Sequence, residues 1–131
     1  MKKMDSEFIS GINVFLDIKG KLRLPCQLKR HLSPRTVGLI VRSLPLYGNV
    51  HHLGKSIVYF ETKIHSGIER KKTDFKKGDI AYLPAGGSIC IFLSDMLNTK
   101  PMTPVGKLMT NIERLNEVKS GDILTLYLET A

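Results

Sequence analysis

The chain has 131 residues, of which 42% are hydrophobic and 24% charged, an ordinary composition for one globular domain. A domain of this size buries enough apolar surface to fold without a metal or disulfide staple. The formal net charge of +8 makes polyanions one class of partner to consider. We expect a single domain over residues 1–131, with residues 1–7 as a flexible tail.

The sequence predicts a soluble, cytoplasmic protein without a membrane contact. Asp5 and Glu7 interrupt the apolar run that a signal peptide would need after MKKM. The charge-free window 80–94 is shorter than the roughly 20 apolar residues of a membrane helix. Cys26 and Cys90 lie far apart in apolar runs, which indicates reduced core residues, with one buried bridge as the alternative.

Alternating apolar residues open the chain and predict a β-hairpin. The two alternating sets are Ile12, Val14, Leu16 and Ile18, then Leu22, Leu24, Cys26 and Leu28. Both sets stay on one face only if Ile18 pairs with Leu22, which leaves Lys19-Gly20-Lys21 as a three-residue loop.

Short strands and two helices account for the rest of the chain. Ser33 as N-cap and Pro34 at the first position predict a helix that ends before Pro45. After it we predict a turn at 46–48, strands at 49–53, 56–62, 79–83, 88–94 and 105–109, an irregular basic connection at 63–77, a short helix opened by a capping box at 110–113, and a last strand after the turn at 120–122. Eight strands with no βαβ rhythm indicate a mainly β fold, a closed eight-stranded barrel with two short helices.

The glycine pair in PAGGS, residues 84–88, predicts a hairpin turn between two buried strands. A phosphate-binding loop would need a lysine and a helix after the glycines, and neither follows. A metal site is also not supported. His51 and His52 are adjacent on a predicted strand, so their side chains point to opposite faces and cannot bind the same ion. We therefore expect no metal and no cofactor.

Basic residues are concentrated where acidic residues are missing. No Asp or Glu lies between Asp17 and Glu61. The cations of this interval are Lys19, Lys21, Arg23, Lys29, Arg30, Arg35, Arg42 and Lys55. Their simplest interpretation is a solvated surface, and the alternative is polyanion or nucleic-acid binding through the basic segment 19–55.

One group of motifs resembles a known family. The matching residues are Gly78, Asp79, Tyr82, Pro84, Gly86, Cys90, Phe92, Gly106 and Lys107. They resemble the signature of the small prokaryotic cyclophilin-like family of uncharacterised proteins, and the similarity runs over about residues 12–129. The chain departs from that signature at Ala85, at Ser94 and in the loop 95–103.

The resemblance implies a cyclophilin-type barrel, in agreement with the strand count. It does not imply prolyl isomerase activity, because the Phe-His-Arg segment of true cyclophilins is missing and the chain has no tryptophan. No catalytic residue can be assigned from the sequence, and whether the chain is an enzyme stays open.

Our functional hypothesis is a module that binds a peptide or small ligand in a groove on the barrel wall. The residues expected to line it are Tyr59, Tyr82, Phe92, Arg42 and His52. The alternative is a peptidyl-prolyl isomerase in which Arg42 stabilises the twisted amide. Nothing in the sequence gives the oligomeric state.

Overall fold

A computed structural model describes residues 11–20 and 22–129. The predicted tail at 1–7 and Lys21 of the hairpin loop lie outside the described residues. The strands are β1 (Gly11–Ile18), β2 (Leu22–Lys29), β3 (Leu46–Asn49), β4 (His51–Leu53), β5 (Ile57–Glu61), β6 (Asp79–Leu83), β7 (Ser88–Phe92), β8 (Thr103–Leu108) and β9 (Ile123–Leu128). The helices are α1 (Pro34–Ser43) and two short 3-10 helices, Ala85–Gly87 and Ile112–Glu117.

The strands form one nearly closed barrel, in the order β3-β9-β1-β2-β8-β6-β7-β5-β4. The mainly β barrel and the two predicted helices are confirmed, and the described residues form nine strands where eight were predicted. The additional strand is β3, which replaces the turn predicted at 46–48 and pairs Leu46 with Leu126. Gly48 allows the backbone of β3 to pass close to the end of β5, since a Cβ on it would lie 2.9 Å from the Glu61 carbonyl oxygen.

The opening hairpin has the predicted register. Ile18 pairs with Leu22 and Leu16 with Leu24, so the alternating apolar residues of both strands face the interior. Val37 and Ile40 of α1 are fully buried and close one side of this core. Among the described residues, no helix is long and apolar enough to cross a membrane.

The start of α1 differs from the prediction in its capping group. Ser33 is the N-cap by position, but its hydroxyl donates to the Pro104 carbonyl at 2.7 Å and makes no cap hydrogen bond. The Glu69 carboxylate takes that role, accepting from the backbone N–H groups of Arg35 at 3.1 Å and Thr36 at 2.8 Å. A long-range carboxylate thus replaces the local cap, and it anchors the 63–77 connection to the helix.

The second predicted helix is a 3-10 helix, and its cap is one residue later than expected. Asn111, not Thr110, accepts a hydrogen bond from Glu113 N at 3.0 Å. A capping box joins residues three apart in the first turn of an α-helix. In the tighter 3-10 helix the capping side chain, Asn111, lies only two residues before the N–H group that it accepts from.

A four-residue turn occurs twice, and each copy starts a strand. In Lys76–Asp79 and in Lys119–Asp122 the carboxylate accepts from the first N–H at 2.9 Å. The first carbonyl then accepts from the aspartate N–H, at 2.9 and 3.0 Å. Both third positions are glycines with φ near +94° and +93°. The Gly-Asp part of the family motif is therefore a structural turn.

Candidate functional site

The outward face of β5, β6 and β7 carries a second apolar layer. Its buried members are Ile57, Phe75, Ala81, Cys90, Phe92 and Met102. Two extended segments, residues 72–75 and 96–102, lie over part of this face and pair with each other at Lys72–Met102 and Phe75–Met96. We call these two segments the outer cover.

A groove of about 290 Å³ lies where the outer cover ends. It is lined by Leu53, Ile57, Tyr59, Glu61, Leu83, Ala85, Gly86, Ser88, Cys90, Lys100 and Met102. Most of these side chains are apolar, and the volume is near the lower end for ligand pockets, which hold roughly 300–1,000 Å³. The groove can therefore accept one small ligand or one large side chain of a peptide.

Strand alternation brings Tyr59 and Glu61 into this groove. Residues two apart on β5 point to the same face, so Ile57, Tyr59 and Glu61 face outward while Val58 and Phe60 are buried in the barrel. His51 of the neighbouring strand stacks on Tyr59 with ring centroids 5.2 Å apart. This stack restricts the Tyr59 ring at the edge of the groove.

The groove has two charged residues of opposite sign, Glu61 and Lys100. A Cβ on Gly86 would lie 2.8 Å from Glu61 Oε2, so the carboxylate rests directly on the glycine turn. In the described part of the chain the ion pairs are Lys19–Asp122 at 3.6 Å and Lys77–Glu113 at 3.5 Å. Glu61 and Lys100 thus line one groove without pairing with each other.

Cys90 contributes an inert thiol to the floor. Burial raises its pKa to about 12, and the nearby Lys100 charge opposes this effect only in part. A thiol with such a pKa is almost entirely un-ionised at neutral pH and is therefore a poor nucleophile. Both cysteines are free and buried, so the predicted reduced state is what the structure shows.

Of the five predicted site residues, only Tyr59 lines the groove. Tyr82 faces the barrel interior with no exposed surface, and its hydroxyl donates to Ile64 O at 2.9 Å and accepts from Ser66 N at 3.1 Å. The alternation that turns Tyr59 outward on β5 turns Tyr82 inward on β6. Its role is to hold the connection 63–77 against the barrel.

Phe92 lies on the expected wall but under the outer cover. It stacks on Phe75 with ring centroids 4.4 Å apart and has no exposed surface. The sequence placed Phe75 in an irregular connection, so nothing before the structure indicated that it would cover Phe92.

Arg42 and His52 lie outside the groove lining. Arg42 is exposed in the last turn of α1. His52 is exposed on β4, where its Nδ1 shares a hydrogen bond of 3.1 Å with the Ser120 hydroxyl. Neither residue is brought together with Tyr59, so the structure offers no support for an isomerase that uses Arg42 in this groove.

Glu61 and Lys100 were missed by sequence reasoning for different reasons. Glu61 is two residues after Tyr59, and strand periodicity alone could have placed both on one face. Lys100 comes from the loop in which the chain departs from the family signature, and no sequence pattern links it to β5. In the described residues, no three His, Cys, Asp or Glu side chains are grouped so as to hold a metal ion.

The described residues also form hollows larger than this groove: one of about 360 Å³ lies beside Tyr47 and Lys63, and two, of about 500 and 520 Å³, adjoin the β1–β2 hairpin. The two at the hairpin share Lys19 and Asp122, which pair with each other at 3.6 Å. The hydrogen bond from Lys119 N, together with the Lys19 charge, holds the pKa of Asp122 below its usual value. Since this carboxylate is already engaged within the turn, we regard the smaller groove as the better candidate site.

Comparison with known proteins agrees with the barrel. A family model described as Cyclophilin-like matches residues 12–127. The chain belongs to the cyclophilin-like family. This confirms the resemblance drawn from the motif residues, and the match covers most of the chain. No curated protein matches the sequence.

Two solved structures share the family fold at low sequence identity. The hypothetical protein AF2241 from Archaeoglobus fulgidus is 20% identical, with a TM-score of 0.75, and the match covers 92% of this chain and 96% of that protein. McbB, determined in complex with tryptophan, is 14% identical with a TM-score of 0.75, over 90% of this chain and 45% of McbB. At these identities the likeness extends to the fold alone.

Proposed function

We propose that this cyclophilin-like protein binds a small dipolar ligand, or one dipolar part of a peptide, in the groove on its barrel wall. One observation carries the proposal: Glu61 and Lys100 line the same groove over an apolar floor and do not pair with each other. A ligand with an ammonium group, a carboxylate and an apolar body satisfies all three features at once.

Aromatic α-amino acids fit this description best among simple compounds. Their ammonium group would face Glu61, their carboxylate Lys100, and their ring the floor beside Tyr59. A ligand of roughly 15 non-hydrogen atoms at about 0.3 kcal/mol per atom binds with a Kd near a millimolar. Tryptophan is a natural probe, because McbB was determined in complex with it.

The experiment compares three ligands on variants of the groove. L-Tryptophan carries both charges, tryptamine lacks the carboxylate, and indole-3-propionate lacks the ammonium group. A change in the indole fluorescence of the ligand reports binding without an indole signal from the protein, since the chain contains no tryptophan. Glu61→Gln should weaken tryptophan and tryptamine about 2- to 5-fold and leave indole-3-propionate unchanged. Lys100→Gln should weaken tryptophan and indole-3-propionate and leave tryptamine unchanged.

Two exposed charges outside the groove provide matched controls. Glu129→Gln and Lys107→Gln remove the same charges elsewhere and should leave all three affinities unchanged. If none of the three ligands binds, or if each binds the groove variants as well as the controls, the proposed function is wrong.

A further inference from the structure

Helix α1 presents an unusual exposed face. Arg35, Gly38 and Arg42 follow each other at positions i, i+3 and i+7 and therefore lie along one side of the helix. A glycine in the middle of a helix is unfavourable for helix formation. Gly38 nevertheless occupies that position, and it is buried although the two arginines beside it on this face are exposed.

Two guanidinium groups converge above Gly38. A Cβ at that position would lie 3.4 Å from an Nη1 of Arg42 and 3.8 Å from an Nη1 of Arg30. The two nitrogens are therefore within about 7 Å of each other. Arg42 reaches this point because side chains of a helix lean toward its N-terminus, and Arg30 reaches it from the turn before the helix.

In the part of the chain that the structure describes, no acidic side chain forms an ion pair with Arg30 or Arg42. The guanidinium hydrogen bond found among those residues is the one that Arg70 donates to the Leu32 carbonyl at 2.7 Å. The Glu69 carboxylate at the start of the helix is held by Arg35 N and Thr36. Two like charges thus meet without an acidic partner of their own among the described residues.

We propose that Arg30 and Arg42 form a binding site for a phosphoryl group, independent of the groove. A planar guanidinium donates two parallel N–H groups to phosphate oxygens, and one phosphate can accept from both arginines, since their Nη1 atoms lie no more than about 7 Å apart. Gly38 leaves the space between them free of a side chain. Of the eight cations between Asp17 and Glu61, this pair is therefore the one that we assign to anion binding.

The test measures thermal unfolding of the full chain in inorganic phosphate against chloride at matched ionic strength. At tenfold excess over its Kd, phosphate should raise Tm by about 3–6 °C above chloride. Arg30→Gln and Arg42→Gln should each weaken phosphate about tenfold and remove most of this difference. Lys55→Gln removes another exposed cation from the basic segment 19–55. It should leave the Tm difference between phosphate and chloride unchanged.

A second arm separates a free phosphoryl group from nucleic-acid phosphates. A 5′-phosphorylated oligothymidine should bind about tenfold more tightly than the same oligothymidine without a terminal phosphate. Arg42→Gln should remove this difference in affinity. Equal Tm values in phosphate and chloride would overturn the proposal. So would oligonucleotide binding that ignores the terminal phosphate or that Lys55→Gln weakens as much as Arg42→Gln, since the attraction would then be spread over the whole basic surface.

Discussion

Among single residues, Glu69 makes a contact that sequence rules assign to a neighbouring side chain. Its carboxylate caps the start of α1, although it lies more than 30 residues after that helix start. Burial acts to raise the pKa of Glu69, but the hydrogen bonds from Thr36 N, Arg35 N and the Thr36 hydroxyl outweigh it and lower the pKa overall. The ionised form is therefore the one that the folded state favours. Its contribution to stability is present above the unfolded-state pKa and is lost as the pH falls through the lower folded-state pKa.

Replacing Glu69 with Gln should test this directly. We expect Glu69→Gln to lower the free energy of unfolding by about 1–2 kcal/mol at pH 7, because the helix start loses its charged acceptor. The difference from the parent chain should shrink as the pH falls below about 4. Urea unfolding of both chains at several pH values measures it, with Glu129→Gln as the exposed control. A difference that stays constant with pH would show that the charge of Glu69 is not involved.

The two thiols provide a second prediction at this scale. Burial raises the pKa of Cys26 and of Cys90 to about 12. The thiolate fraction at pH 8 is then about one in ten thousand, so neither residue should react with a thiol reagent in the native chain. In denaturant both should react. Rapid native labelling of Cys90 would instead show that the groove floor opens to solvent.

At the scale of elements, alternation and register were predictable where apolar residues repeat strictly. The opening hairpin follows from Ile18 pairing with Leu22 because a slip by one residue would bury charged side chains. β3 was not predictable in the same way. Its Leu46-Tyr47-Gly48 segment has the composition of a turn, and pairing with Leu126 of a strand 80 residues later decides its conformation.

Gly106 is one of the residues that match the family signature, and its role is structural rather than catalytic or ligand-binding. A Cβ on it would overlap the carbonyl oxygen of Gln27, because β8 passes very close to β2 at this point. We expect Gly106→Ala to lower the free energy of unfolding by more than about 3 kcal/mol. Gly67→Ala is the matched control, since a Cβ there meets nothing within 4 Å. Denaturant unfolding that shows equal losses for both variants would contradict the close approach.

At the scale of the whole molecule, the sequence predicted the wall on which the groove lies better than the residues that line it. Motif residues identified the barrel, and Tyr59 was named as a groove residue because it is an aromatic residue on a predicted strand that resembles the family. The outer cover could not be predicted, since its two segments have no regular structure and are held together by isolated bridges and by single hydrogen bonds such as Thr99 N to Thr73 O. The same segments supply Lys100, so the chain differs from its family signature where the groove acquires its positive charge.

The location of a bound ligand on the barrel decides whether the groove is the binding site. We would titrate L-tryptophan into the isotope-labelled chain and map the backbone amide shifts by NMR. We expect the largest shifts at Tyr59, Glu61, Gly86 and Met102, and we expect Glu61→Gln to reduce all of them together. Shifts concentrated on the β1–β2 hairpin or on α1, with the groove amides unmoved, would show that the groove is not the binding site.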